Sequence, residues 1–203
     1  MDKCISTWRK APARGPSGSL WDRLAAIKPI FYESKSPEAT QSAATANPRG
    51  DSLLSAYSDA IESSKTHKGA LLFSVIGGTL SEGINFSDAL GRCVIVVGLP
   101  FPNPHSAEWK ARLSYITNKL GGSEGKVAAR EFYENACMRS VNQSIGRAIR
   151  HKGDFAAILV IDKRYNGDRI KNKLPKWIGS SLTNGMNVSE TVNALSEFFK
   201  KKI

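Results

Sequence analysis

Residues 143–150 read Gln-Ser-Ile-Gly-Arg-Ala-Ile-Arg, and the rest of the chain is organised around this stretch. At the helical spacing of about 100° per residue, the stretch and the residues before it form two opposed faces. The polar face carries Gln143, Gly146, Arg147 and Arg150. The apolar face carries Met138, Val141, Ile145, Ala148 and Ile149. We therefore predict an amphipathic helix that buries one face and presents its arginines on the other.

The two arginines of the polar face suit a polyanion such as a triphosphate. Each guanidinium is a planar fork that binds oxygen atoms bidentately and keeps its charge at any working pH. Gly146 has no side chain, so a ligand or another backbone can approach closely at that position. Amphipathicity alone leaves two interpretations open: an anion-binding face, or a surface helix whose arginines are solvated.

Two further stretches set the arginine helix in context. Residues 77–88 read GGTLSEGINFSD and follow an apolar run, residues 98–103 read GLPFPN, and residues 142–151 read NQSIGRAIRH. In this order and spacing they resemble motifs V and VI of superfamily 2 helicases. The residues of these motifs are most similar to those of the iron–sulfur DNA helicases of the xeroderma pigmentosum group D type, in the branch linked to sister-chromatid cohesion (the chromosome-loss helicases). The resemblance runs from about Leu20 to about Trp177 and covers only the second motor domain of such an enzyme.

Composition is that of a soluble globular domain. The 203 residues are 41% hydrophobic and 23% charged, which is ordinary for one folded domain. Lys and Arg outnumber Asp and Glu by 29 to 18, for a net charge of +11, and this balance suits a polyanionic partner. No run of about 20 apolar residues and no signal-peptide core is present. We expect a soluble intracellular protein without a membrane partner.

The three cysteines argue against a metal centre in this chain. Cys4, Cys93 and Cys137 are far apart and form no Cys-x-x-Cys pair. Neither a zinc site nor an iron–sulfur cluster can be assembled from them, so no metal site is predicted. Free thiols also fit a reducing compartment.

Predicted strands alternate with predicted helices along the chain. The strands are Pro29–Glu33, Ala70–Ile76, Arg92–Val97 and Phe155–Ile161. The helices are Leu20–Ile27, residues 51–61, Ser106–Leu120, a segment from about Glu124 into the arginine stretch, and Met186–Lys200. This alternation predicts an α/β fold with a mostly parallel sheet flanked by helices. Continuous apolar character predicts that Ala70–Ile76 and Arg92–Val97 are buried strands. Ligand crevices form at the carboxyl ends of parallel strands, where we expect the Gly77–Asp88 loop.

Three regions are predicted along the chain. Residues 1–19 are basic and rich in proline and glycine, which predicts an irregular segment. Residues 20–180 form the domain that the resemblance implies, a RecA-like helicase C-terminal domain with a flexible loop at 34–50. Residues 181–203 form a closing helix whose apolar face carries Val188, Val192, Leu195 and Phe199. Since no strand with helicase motif IV precedes residue 20, we expect the domain to lack its first strand.

A phosphate loop, Gly-x-x-x-x-Gly-Lys-[Ser/Thr], is not found in the sequence, nor is an acidic metal-binding box. The nearest approach, Gly125-Lys126, has Leu120 in place of the first glycine and Val127 in place of the hydroxyl residue. The resemblance implies that ATP and Mg²⁺ are held mainly by an N-terminal motor domain, which also carries a 4Fe–4S cluster. This chain would supply the opposite wall of the ATP cleft.

The resemblance also implies roles for the arginine stretch. Arg147 and Arg150 face the triphosphate, with Arg150 the better candidate for an arginine finger, and Gln143 orients the arginines or the attacking water. His151 invites a general-base interpretation. We favour a solvated or phosphate-contacting histidine, because phosphoryl transfer depends on positioning and electrostatics rather than on an imidazole base.

A nucleotide-contacting set is implied by the same resemblance: Glu82, Gly83, Asn85 and Gly146. Asn85 departs from much of the wider family, which has Asp there, so a charged-acceptor role is not available to it. For Glu82, capping of the backbone amides of its own loop is the open alternative.

The function implied by the resemblance is the second motor domain of an ATP-dependent 5′-to-3′ DNA helicase of the nucleus, active in DNA repair and sister-chromatid cohesion. Its partners would be single-stranded DNA, duplex junctions and the N-terminal helicase domain. Candidate phosphate-tracking residues are Arg92, Lys110, Arg112 and Arg130. The alternative is a catalytically inactive, truncated product that binds nucleic acid or protein, and the missing phosphate loop favours it. A small-molecule phosphotransferase is disfavoured, because the sequence offers no nucleophile and base set.

Overall fold

A computed structural model describes residues 2–11, 18–33, 51–62, 69–78, 86, 88–179 and 181–202. The chain divides into two compact units, residues 1–84 and residues 85–203. No helix formed by the described residues has the length and apolar character needed to cross a bilayer. The loop predicted at 34–50 lies outside the described residues.

The first unit is built on two short parallel strands. Strand β1 (Ile30–Tyr32) pairs with β2 (Leu71–Phe73), with Ile30 opposite Leu71. The helices of this unit are α1 (Asp2–Lys10), α2 (Leu20–Ile27) and α3 (Asp51–Glu62). A capping box between Ser19 and Asp22 begins α2, because each side chain satisfies a backbone amide that the first turn leaves unpaired. Leu53 and Tyr57 of α3 are buried, as its apolar stripe predicts.

The irregular structure predicted for residues 1–19 is wrong over Asp2–Lys10, which form α1. Ile5 is buried in one cluster with Trp21, Ile30 and Tyr32, and the Trp8 ring meets Phe73 edge-on at 5.4 Å. The breaking residues of this region begin only at position 12, beyond the helix, and proline breaks a helix only locally. The division of the chain at residues 19 and 180 stays a prediction.

Within residues 88–179, the described part of the second unit has one parallel strand pair and a long helical crossover. Strands β3 (Cys93–Val97) and β4 (Ala157–Ile161) pair from Cys93 opposite Ala157 to Val97 opposite Ile161. Between them run helices α4 (Ala107–Leu120) and α5 (Gly122–Gly146). Ser106 caps α4 and Gly121 ends it with a φ of 72°, as predicted. The α/β class with parallel strand pairing is confirmed.

The helices α4 and α5 pack closely where they leave their connecting turn. A Cβ atom added at Gly125 would lie 2.2 Å from the carbonyl oxygen of Thr117. Further along the pair, the ring of Tyr133 lies 5.6 Å from Trp109 and 5.1 Å from Phe101. The Tyr133 hydroxyl also donates to the Pro102 carbonyl. The proline-rich loop at residues 98–103 is therefore anchored on α5.

Beyond β4 the described residues form three more α-helices, α6 (Asp168–Lys171), α7 (Lys176–Gly179) and α8 (Val188–Lys200). The core of this unit joins the apolar side of α5 to residues after β4. Its buried side chains include Cys137, Met138, Val141, Ile145, Tyr165, Ile170, Leu174 and Ile178. The buried carboxylate of Glu134 pairs with Arg169 at 3.0 Å, which ties α6 to α5.

The predicted apolar face of the closing helix is wrong in its first half. Val188 is 82% exposed and Val192 is also exposed, whereas Leu195, Phe198 and Phe199 are half-buried. The Phe198 ring packs on Phe155 with a centroid distance of 6.2 Å. Contacts of α8 come from its C-terminal half, and apolar spacing alone does not show which turns of a helix meet the core.

The prediction of fully buried strands is also wrong. In β3 only Val96 is buried, and Val97 is 74% exposed. Exposure alternates along β3 because successive side chains point to opposite faces of a sheet. A run of apolar residues predicts a strand but does not show that both of its faces are covered. Each of these four strands is also shorter than the predicted range.

Candidate functional site

The arginine stretch begins in the last turn of α5 and then leaves the helix. Helix α5 ends at Gly146, and Arg147 is its C-cap. In a continuing helix the Arg150 amide would bond to the carbonyl of Gly146. It instead donates to Asp154 Oδ2 at 3.3 Å. The predicted helix is therefore wrong for residues 147–150, and Arg150 lies on a turn.

The two faces predicted for this stretch are nevertheless observed. Met138, Val141, Ile145 and Ala148 are buried. Gln143, Gly146 and Arg150 are exposed, and Arg147 and Ile149 are half-buried. The turn after Gly146 keeps Ala148 in the core, since the Ala148 amide donates to the Ile145 carbonyl at 3.1 Å.

Open space adjoins the end of α5. A Cβ atom added at Gly146 would have no neighbouring heavy atom within 4 Å. Gln143, one turn earlier, lines an open groove of about 540 Å³. The other lining residues are Asn135, Met138, Arg139, Asn142 and Lys173. The described residues therefore leave the surface open at Gly146 and at Gln143.

The segment that carries Arg150 is held by one buried carboxylate. The Asp154 side chain is 0% exposed and pairs with Arg92 Nη1 at 2.8 Å. Its Oδ1 also accepts from the Phe155 amide at 2.9 Å, and its Oδ2 accepts from the amides of Arg150 and Asp88 at 3.3 and 3.4 Å. Burial raises the pKa of Asp154, but the hydrogen bonds from Arg92 and the three amides outweigh it and lower the pKa below its ordinary value.

A second contact joins the same segments at the surface. His151 Nε2 lies 3.1 Å from Asp88 Oδ1, with both side chains more than half exposed, and this exposure agrees with a solvated histidine. Donor atoms of Asp88, His151 and Asp154 lie within 4.8 Å of one another, a spacing that a cation can use. Both oxygens of Asp154 already accept hydrogen bonds, however, so this cluster is organised by hydrogen bonding.

These groups lie at the amino ends of β3 and β4. Arg92 directly precedes β3, Asp154 lies three residues before β4, and the Ala157 amide donates to the Arg92 carbonyl at 2.9 Å. The carboxyl-end location expected for the Gly77–Asp88 loop is wrong for its last residue, Asp88. A crossover helix runs antiparallel to the strands that it connects, so the end of α5 returns to the amino end of β4.

The structure describes only some of the other residues predicted to contact nucleotide or DNA. Glu82, Gly83 and Asn85 lie outside the described residues, so their nucleotide contacts stay predictions. Arg92 is not a free DNA contact, since its guanidinium is bound to Asp154 and to the Phe155 carbonyl. Arg112 pairs with Glu108 at 2.6 Å, whereas Lys110 and Arg130 are exposed.

The link between Arg92 and Asp154 was not foreseen from the sequence. A signal for it was present: Arg92 directly precedes one apolar strand and Asp154 precedes the other. Amino ends of paired parallel strands lie at the same edge of a sheet, so opposite charges at these two positions are brought together.

Comparison with known proteins identifies the family. Residues 1–181 match the family described as "Helicase C-terminal domain". The chain belongs to this family. The helicase C-terminal domain is 46% identical over 212 residues to the ATP-dependent DNA helicase CHL1 of Coccidioides immitis, covering 100% of this chain and 23% of that protein.

Two other relatives agree with this assignment. The chain is 46% identical over 185 residues to ATP-dependent DNA helicase chl1 of Schizosaccharomyces pombe, covering 90% of this chain and 20% of the relative. It is 42% identical over 207 residues to CHL1 of Eremothecium gossypii, covering 100% of this chain and 23% of the relative. The resemblance to the chromosome-loss branch is confirmed, and this helicase C-terminal domain spans about a fifth to a quarter of the length of these relatives.

Proposed function

We propose that this chain is the second motor domain of an ATP-dependent DNA helicase, and that it supplies Arg150, Arg147 and Gln143 to an ATP site shared with an N-terminal motor domain. The observation that carries the proposal is the state of Arg150. Its side chain is exposed on a turn beside the open end of α5. Among the described residues its guanidinium has no hydrogen bond or ion pair.

A guanidinium in this state suits phosphoryl transfer. Negative charge spreads over the equatorial oxygens of the transferred phosphoryl group, and an arginine placed against them lowers the barrier by a factor on the order of 10³–10⁵ in rate. Arg92, by comparison, is bound to Asp154, so its charge is already compensated. The charge of Arg150, unlike that of Arg92, is not compensated by the described residues and can reach a ligand outside the chain.

ATP binding would be divided between two domains. This chain carries no phosphate-loop motif, so the partner domain would hold the β- and γ-phosphates, Mg²⁺ and the iron–sulfur cluster. Gly146 would let the nucleotide approach, and Glu82, Gly83 and Asn85 would complete the nucleotide contacts on this side. The relatives are named ATP-dependent DNA helicases, and that name supports the assignment.

DNA would be bound through its backbone. The exposed side chains of Lys110 and Arg130 and the net charge of +11 suit phosphate contacts that do not read bases. The 5′-to-3′ polarity, the action at single strands and duplex junctions, the roles in DNA repair and sister-chromatid cohesion and the nuclear location are part of the same proposal and rest on the family resemblance.

The test uses a chimeric helicase in which residues 1–203 replace the matching segment of the Coccidioides relative. Arg150→Ala should lower DNA-stimulated ATP turnover by a factor on the order of 10³, with nucleotide affinity nearly unchanged because the other domain holds most of the ATP. Arg150→Lys keeps the charge but loses the planar fork, so it should not restore turnover.

Arg23→Ala is the matched control for this test, because it removes another exposed arginine that has no assigned role. It should leave turnover and nucleotide affinity unchanged. Near-normal turnover in Arg150→Ala would remove Arg150 from the reaction. A large loss of thermal stability in Arg150→Ala alone would instead favour a structural role.

A further inference from the structure

We propose that Asp154 is the positioning residue of Arg150: clamped by Arg92, its carboxylate binds the backbone of Arg150 and the backbone of Asp88, and so sets where the Arg150 guanidinium can reach. The effect on ATP turnover rests on the proposed function of Arg150. The effect on backbone position does not.

One carboxylate joins three segments of the second unit. The segments are the turn after α5 that carries Arg150, the residue before β3, and the 3₁₀ turn Asp88–Gly91. The two carboxylate oxygens have different partners. Oδ1 accepts from the Arg92 guanidinium, and Oδ2 accepts from the amides of Arg150 and Asp88. A neutral or shorter side chain at this position could not make both sets of contacts.

Arg92 fixes the carboxylate itself. Its Nη1 donates to Asp154 Oδ1 and to the Phe155 carbonyl, each at 2.8 Å. Its guanidinium carbon lies 4.0 Å from the centroid of the Phe155 ring. Stacking on the Phe155 ring needs a planar guanidinium, so lysine at position 92 would keep the charge and lose this contact. Asp154 is therefore held on two sides, by Arg92 and by the backbone.

Arg150 depends on this clamp because it lies outside α5. Within the described residues, the hydrogen bond of the Arg150 amide is the one to Asp154. Catalytic groups must be held to fractions of an ångström, and an error of about 1 Å can cost about 10²-fold in rate. A small displacement of the 147–153 turn would therefore be enough to withdraw the guanidinium from a phosphoryl group.

Asp88 connects the 3₁₀ turn at 88–91 to Asp154 and to the turn that carries Arg150. Its amide bonds Asp154, and its carboxylate bonds His151, the neighbour of Arg150. Asp88 has a φ of 54°, a left-handed conformation that is strained for a residue other than glycine and persists only where its surroundings hold it. The turn at 88–91 and the turn that carries Arg150 are thus constrained to move together.

A purely structural role for Asp154 predicts a different effect of its removal. If Asp154 only joined the amino ends of β3 and β4, its removal would lower stability without a specific effect on Arg150. The two ideas can be separated with Asp154→Asn. In that variant the oxygen of the amide should turn toward Arg92, which can only donate. The NH₂ group then faces the amides of Arg150 and Asp88, where no acceptor remains.

The first measurement is amide NMR with hydrogen exchange on the 203-residue chain. In Asp154→Asn the Arg150 and Asp88 amide signals should both shift, and the Arg150 amide should exchange at least about tenfold faster. The matched control is Glu134→Gln, which removes another buried carboxylate paired with an arginine and should leave both signals in place. An unchanged Arg150 amide in Asp154→Asn overturns the proposal.

The second measurement is steady-state ATP turnover in the Coccidioides chimera. Asp154→Asn should lower kcat by tenfold or more with little change in the KM for ATP. Arg92→Lys should lower kcat in the same way. Glu134→Gln should keep kcat within twofold even if its Tm falls. In an Arg150→Ala background, Asp154→Asn should have less than a twofold further effect. An equal fold loss in both backgrounds would show that Asp154 does not act through Arg150.

The two measurements also separate this inference from the proposed function. Normal turnover in Arg150→Ala by itself overturns the proposed role of Arg150, and the catalytic half of this inference with it. The amide signals still decide whether Asp154 positions the segment, because that measurement requires neither ATP nor the partner domain.

Discussion

The two arginines of the 143–150 stretch occupy different environments although the sequence places them on one face. Arg147 is the half-buried C-cap of α5, and Arg150 is exposed beyond the helix. A side chain held against its own domain serves more readily as a support, and one that projects into solvent can reach a ligand on another domain. This difference is why Arg150 rather than Arg147 carries the proposed arginine-finger role.

Asp162 allows a test of acid stability at the same scale. Hydrogen bonds from the side chain and then the backbone of Arg164 lower the pKa of Asp162 to about 2. Because the pKa is lower in the folded state than in the unfolded state, Asp162 stabilises the fold fully above pH of about 4. That stabilisation is lost as the pH falls from about 4 toward about 2.

Asp162→Asn should therefore be less stable than the native chain at pH 6, and the difference should narrow as the pH falls toward 2. Urea unfolding of both proteins at several pH values in this range measures it. A difference in the free energy of unfolding that stays constant from pH 6 to pH 2 would contradict the assigned pKa.

At the scale of elements, close packing of α4 on α5 depends on Gly125. This glycine belongs to the segment that comes nearest to a phosphate-loop motif in the sequence. Gly125 lies in the first turn of α5, where its amide donates to the Gly121 carbonyl at 2.8 Å and its Cα faces the Thr117 backbone. Its role in this chain is close helix packing.

Gly125→Ala should force α5 away from α4, because the added Cβ would lie 2.2 Å from the Thr117 carbonyl oxygen. We expect a loss of about 1–3 kcal/mol in the free energy of unfolding, seen as a lower Tm by calorimetry. Gly146→Ala is the control, since its Cβ meets nothing within 4 Å and should leave Tm unchanged or raise it by the equivalent of up to about 1 kcal/mol. Equal Tm values for the two variants would argue against tight packing at Gly125.

At the scale of the whole molecule, the proposed function makes this chain one side of a shared ATP site. We expect the purified 203-residue chain to hydrolyse no ATP above a blank, with or without DNA, because it has no phosphate loop to hold the β- and γ-phosphates and the metal. A sensitive phosphate-release assay measures this, with the chimera as positive control. DNA-stimulated turnover by clean material would contradict a shared site.

Binding of single-stranded DNA by the isolated chain should be weak, indifferent to sequence and strongly dependent on salt. Phosphate contacts release counterions, so each contact adds roughly 0.7 to the negative slope of log affinity against log salt. Fluorescence anisotropy with two unrelated oligonucleotides, between about 50 and 200 mM salt, measures both properties. Lys110→Ala and Arg130→Ala should each reduce the slope, and an affinity that does not change with salt would contradict backbone binding.

What could be predicted from the sequence depended on local information. The bounds of α4 follow from Ser106 and Gly121, which lie beside it in the chain. Parallel strand pairing follows from the alternation of strands and helices. The buried side of residues 138–148 follows from helical spacing. The family follows from motifs that are contiguous in the chain, with 46% identity to relatives over most of its length.

The tertiary structure decided what depends on residues far apart in the chain. Helix α1 is held by apolar contacts with Trp21 and the first strand pair, which its own composition does not reveal. The amide of Arg150, which lies beyond the end of α5, is bound by Asp154, and Asp154 is held by Arg92, 62 residues earlier. Periodicity and motifs describe neighbours along the chain, whereas a buried charge must find its partner wherever the fold places one. The sequence by itself therefore determined which arginines this domain offers, and only the tertiary structure decided where Arg150 is held.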